Sequence, residues 1–158
     1  MTVAAPGTEP ALLAAHRILA TVDDPEYPGI SIVDLGLVEQ VEVVDGRVVV
    51  GLIPTFAGCP ALHMIAADVT TALDADPAIV SSEVQWLSEP VWSTDRLTAT
   101  AQERLAASYT VVLRSKDGGL RCPVCGSTAV ADQSMVGPTR CRSIAWCDDC
   151  RNPVEVMR

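Results

Sequence analysis

The chain has 158 residues, 49% of them hydrophobic but only 4% aromatic, and a formal net charge of −9. Its core must be built from Val, Ile, Leu and Ala, with Trp86, Trp92 and Trp146 as the few large anchors. Residues 1–120 carry 16 acids against 6 Lys and Arg, and that acidity repels a phosphate backbone and argues against general nucleic-acid binding.

Residues 1–8 are small and polar and read as a flexible tail. A first helix is expected over residues 9–22, with Thr8 as cap, Pro10 in the first turn, and Leu12, Ala15, Leu19 and Val22 on one face. The stretch DDPEYPG, with two prolines, ends it. LVEQVEVV and RVVVGLIPT then flank Asp45-Gly46, a dipeptide that accepts the positive φ angles of a tight hairpin turn. In the following helix Leu62, Ile65, Val69 and Leu73 recur at helical spacing, and Pro60 in its first turn puts Cys59 at or next to the N-cap. Asp76-Pro77 makes a turn, a strand is expected near Ser82–Leu87, and Ser93-Thr94-Asp95 starts a third helix carrying Leu97, Ala101 and Leu105. Residues 114–120, with Lys116-Asp117-Gly118-Gly119, read as a linker. The expectation is a small α/β sandwich over 9–113, helices packed on a mainly three-stranded sheet, followed by a cysteine module over 121–158.

The module is too short to bury a core of its own and needs a metal to hold it. Cys122-Pro-Val-Cys125 and Cys147-Asp-Asp-Cys150 are two C-x2-C pairs separated by 21 residues, enough for a hairpin that brings two knuckles together. Four thiolates at such spacing suit a structural zinc ion, with a single iron as the rival, since rubredoxin-type sites share these knuckles. Cys141 has no partner at that spacing and is read either as an apolar residue packed behind the site or as an extra ligand.

Cys59 at a helix start would feel the helix dipole, which favours thiolate, and His63 follows one turn later. Asp34, inside the apolar run SIVDLGLV, is either a turn-forming aspartate or a hard ligand near Cys59. No Ser-His-Asp pattern, phosphate-cradling Gly-rich loop or H-E-x-x-H helix is present, so conventional hydrolase or kinase chemistry has no support. An enzyme using Cys59 as nucleophile would lack a matched base apart from His63. The chain contains no apolar run of the roughly 18 residues that a membrane span needs. The first twenty residues lack a basic leader before an apolar stretch, so the expected compartment is the cytoplasm, where clustered thiols stay reduced.

DPEYPGISIVDLGLVEQVEV followed by PTFAGCPALHMIAADV resembles the small α/β domain of iron–sulfur assembly factors, including the SufT group. PVWSTDRLT and the C-terminal CPVCGS…CRSIAWCDDCRNPVEVMR look like the PaaD family in particular, accessory subunits of multicomponent phenylacetyl-CoA epoxidases. The resemblance implies an accessory role in supplying iron or iron–sulfur centres to an oxygenase, with its oxygenase and reductase subunits as partners, and no oxygenation by this chain itself. It marks Asp34, Thr55 and Cys59 as a candidate transient iron, cluster or reactive site. It also marks Cys122, Cys125, Cys147 and Cys150 as zinc ligands and matches Cys141 to a cysteine of the family pattern; His63 receives no such support. A docking subunit that binds oxygenase components through its ribbon is the alternative. Homo-oligomers are compatible with either reading.

Overall fold

The computed structural model describes residues 8–158, so most of the expected tail lies outside the described residues. Two compact units are present: residues 8–54 with 60–92, and residues 55–59 with 93–158. The expected boundary lay in the segment 114–120, whereas the chain passes from one unit to the other at 92/93, and the short segment Thr55–Cys59 belongs to the second unit.

In the first unit, α1 (Thr8–Leu19) buries Ala11, Ala14, Ala15 and Leu19. The helix stops at Leu19, before the expected end, and Val22 is buried beyond it, where its carbonyl accepts from the Ile32 amide at 2.9 Å. The segment read only as a helix terminator pairs as a small antiparallel hairpin, β1 (Asp23–Asp24) with β2 (Tyr27–Ser31). The expected central hairpin is present: β3 (Val38–Val44) runs antiparallel to β4 (Arg47–Leu52), with Val41 opposite Val50 and Val43 opposite Val48. Asp45 (φ 50°) and Gly46 (φ 81°) both take the positive φ that a tight two-residue turn requires.

After α2 (Leu62–Asp74), β5 (Ser82–Trp86) joins β4 in parallel, giving the order β3-β4-β5. Central β4 is the best-shielded strand: Val48, Val50 and Leu52 are at most 1% exposed and share one face by strand alternation. Helix α1 packs on β3 and β4, α2 packs on β5, and the two helices touch, which makes a two-layer α/β unit. Ile65, Val69 and Leu73 are the buried stripe of α2. Of the three tryptophans only Trp92 is fully buried, and its indole N–H donates to the Leu35 carbonyl at 2.8 Å.

The expected third helix is broken into three pieces. A 3-10 turn (Thr94–Arg96) is followed by extended Leu97, and α3 (Ala99–Arg104) starts at Thr98, whose hydroxyl accepts from the Ala101 amide. A π-helical turn (Leu105–Tyr109) completes the segment. Leu97, Ala101 and Leu105 are nonetheless all buried, so the apolar spacing holds while the local hydrogen bonding differs. The ribbon sheet has the order β6-β9-β8-β7, where β6 is Val111–Val112, β7 Val130–Ser134, β8 Arg142–Cys147 and β9 Pro153–Met157. Strand β6 pairs in parallel with β9, so the ribbon begins before the glycine-rich segment. That segment closes as a turn, with Ser115 N–H on the Gly119 carbonyl and Gly118 N–H on the Ser115 carbonyl. No helix among the described residues is long and apolar enough to cross a membrane.

Candidate metal centre

Strand alternation builds the site. In β8 the residues Ser143, Ala145 and Cys147 point inward, and in β9 Val154 and Val156 do, with Leu120 and Cys122 completing the buried set. None of these is aromatic, so the ribbon holds little apolar area and relies on its cysteines.

The sulfurs of Cys122, Cys125, Cys147 and Cys150 all lie within 4.8 Å of one another. Cys122 and Cys150 are 3.6 Å apart, as are Cys125 and Cys147. Tetrahedral zinc with Zn–S bonds of about 2.3 Å requires sulfur–sulfur edges of about 3.8 Å, so the donor set fits the ion in size, number and softness. A metal held there would close four thiolates into one crosslink and leave no open position for water.

The two knuckles are alike in backbone. Gly126 N–H donates to the Cys122 carbonyl and Arg151 N–H to the Cys147 carbonyl, both at 2.9 Å, with φ of 75° and 57° respectively. Ser127 Oγ donates to the Asp149 carboxylate and so ties one knuckle to the other. Asn152 Nδ2 lies 3.4 Å from the Cys150 sulfur. Its amide donates to that sulfur and, with a smaller contribution from its backbone N–H, holds the Cys150 thiol down at about 6, against the opposing effect of burial. At Cys125 the Ser127 backbone N–H favours thiolate, but burial and the three neighbouring thiols together outweigh it and push the group up to about 12. Sequence reasoning passed over Asn152 and Ser127, although both stand at the same place, two residues after the second cysteine of a pair.

Cys141 is outside the quartet. It is buried beside the Thr139 hydroxyl, 3.2 Å from its sulfur, and its carbonyl accepts from the Arg158 amide. It precedes β8, whose far end is Cys147, and six residues of extended strand span about 20 Å. It is not among the four sulfurs that cluster, and at that separation it stands neither in the quartet nor directly behind it.

Cys59 is half-buried and in no disulfide, and its amide donates to the Phe56 carbonyl at 3.0 Å, closing a turn over Phe56–Cys59. The N-cap of α2 is Ala61, so Cys59 stands two residues outside it and the expected N-cap placement is corrected. The helix-dipole effect is largest within the first turn, and Cys59 falls short of it. His63 is exposed on α2. Asp34 sits in the turn after β2: the Ser31 hydroxyl donates to its carboxylate at 3.0 Å, and its own N–H donates back to that hydroxyl oxygen at 3.0 Å. This reciprocal pair ties Asp34 to the end of β2.

Residues 14–86 match the family described as iron–sulfur cluster assembly protein, and residues 106–158 match the PaaD zinc beta ribbon domain. An Escherichia coli (strain K12) protein named as a component of 1,2-phenylacetyl-CoA epoxidase is 31% identical over 151 residues, 89% of this chain and 88% of that one. The Fe-S protein maturation auxiliary factor SufT of Staphylococcus aureus (strain USA300) is 40% identical over 88 residues, 55% of this chain and 99% of its own. Among solved structures, a domain of unknown function (DUF59) from Bacillus anthracis superposes with a TM-score of 0.58 at 31% identity, covering 63% of this chain and 95% of its own. An iron–sulfur assembly domain joined to a PaaD ribbon, matched along nearly the full length of the Escherichia coli relative, makes the chain a member of the PaaD family.

Proposed function

We propose that the chain is an accessory protein of a multicomponent oxygenase of the phenylacetyl-CoA epoxidase type, and that it helps assemble or deliver iron or iron–sulfur centres to that system. The observation that carries this reading is the joining of two parts in one chain. The first half corresponds to nearly the whole of a stand-alone iron–sulfur maturation factor, and the ribbon follows the PaaD family. In this reading the ribbon metal is structural, and Cys59 is a transient ligand for iron or a cluster. Cys59 stands apart from the quartet, half-buried, in the same short segment as Thr55.

The test is the metal content of the oxygenase components purified from cells that carry Cys59→Ser. Metal-poor oxygenase beside a folded variant is the expected result, and a fully loaded oxygenase would remove the delivery role.

The ribbon also favours a second reading, as a docking face: Val124, Met135 and Val136 are 63–72% exposed. Docking alone predicts that oxygenase capture is lost in Cys147→Ser and unchanged in Cys59→Ser, with full metal loading in the latter.

A further inference from the structure

The four corners of the candidate metal centre are not equivalent. Cys122 and Cys147 are buried, Cys150 is half-buried, and Cys125 is exposed. Cys125 and Cys150 occupy the same place in their knuckles, and each sulfur receives the backbone N–H of the residue two positions on, Ser127 or Asn152. The side chains at these two positions diverge. Ser127 gives its hydroxyl to Asp149 and accepts the Ala129 amide, so it offers nothing to Cys125. Asn152 turns its amide inward, with Nδ2 at 3.4 Å from the Cys150 sulfur and 3.1 Å from the Cys150 carbonyl. The Asn152 carbonyl accepts the Cys147 amide at 3.0 Å, which fixes the asparagine to the knuckle it serves.

We infer that Asn152 is a positioning residue that locks Cys150 onto the metal, and that Cys125 is the corner at which the ion is attacked and released. A second donor on the Cys150 sulfur lowers its availability to a proton, an electrophile or an incoming chelator, and it restrains the side-chain torsion that a departing ligand needs. Cys125 has one donor and open solvent beside it. Metal loss is therefore ordered, beginning at Cys125, and the asparagine sets that order. This inference rests on the quartet's fit to a thiophilic ion and does not require the delivery role of Cys59.

The experiment uses the full chain loaded with zinc. Metal release to a chromophoric chelator is timed while iodoacetamide is present, and the alkylated cysteines are mapped by mass spectrometry at early times. Wild type is expected to be modified first at Cys125. Asn152→Ala and the isosteric Asn152→Asp, neither able to donate a side-chain N–H, are expected to release metal at least tenfold faster, on the scale of lost outer-shell partners. Both are expected to bring modification of Cys150 level with Cys125, while Cys122 and Cys147 stay protected. General loosening of the ribbon would instead expose all four cysteines together, and that pattern, or an unchanged rate and order in the variants, would overturn the role of Asn152. The wild-type order needs no variant, so first modification at Cys150 overturns the proposal even if neither substitution folds.

Discussion

Arg151 carries a backbone cost that its counterpart avoids. Both knuckles place a residue at positive φ just after the second cysteine, and the first uses Gly126 where the second uses Arg151. A side chain in the left-handed region costs about 1–2 kcal/mol, partly offset by the extra unfolded-state freedom that glycine brings. Arg151→Gly is therefore expected to stabilise the metal-bound ribbon by roughly 0.5–1 kcal/mol, read as a higher denaturant midpoint. The thiols supply a second prediction. Metal binding must expel the thiol protons, so affinity is expected to fall as pH falls. At this scale the quartet was legible from spacing alone, because a C-x2-C knuckle is a local backbone device. Asn152 was not, because a hydrogen bond to sulfur leaves no periodic trace in a sequence.

Elements were legible where periodicity and turn chemistry agreed. The Asp45-Gly46 hairpin and the stripe Ile65, Val69, Leu73 stand as expected, since each pattern satisfies both the local backbone and the buried face. The third helix shows the opposite case. Its apolar spacing was sound, but extended Leu97 and the Thr98 cap move the start of α3, and a π turn ends the segment. The β1–β2 hairpin was hidden because strands of two and five residues show too little alternation to read. The stripe on α2 carries its own prediction. Leu73→Ala, at a position with no exposure, should cost about 2–5 kcal/mol, whereas Leu13→Ala, 67% exposed on α1, should cost little. Chemical denaturation of the two variants side by side checks the contrast.

At the scale of the whole molecule, each unit has its own core, and the four-cysteine cluster lies in the second. Chelation is accordingly expected to melt the β6–β9 sheet while leaving β3-β4-β5 folded. Trp146 on β8 reports the first event and buried Trp92 the second, so single-tryptophan versions followed by fluorescence would separate them. A single transition that takes both tryptophans together would contradict independent cores. Truncation at residue 118 is a poor probe of the ribbon, because it removes β9 and leaves β6 unpaired. The division at 92/93 could not be read from composition, since the cue that looked like a linker, Lys116–Gly119, is a closed turn within the second unit.

Elemental analysis of the purified chain beside its Cys59→Ser variant separates a structural ribbon metal from a transient iron site at Cys59. One firmly held zinc per chain is expected in both proteins, together with iron that is present in the wild type and absent from the variant. Zinc alone in both, or iron that persists without Cys59, would contradict the iron site.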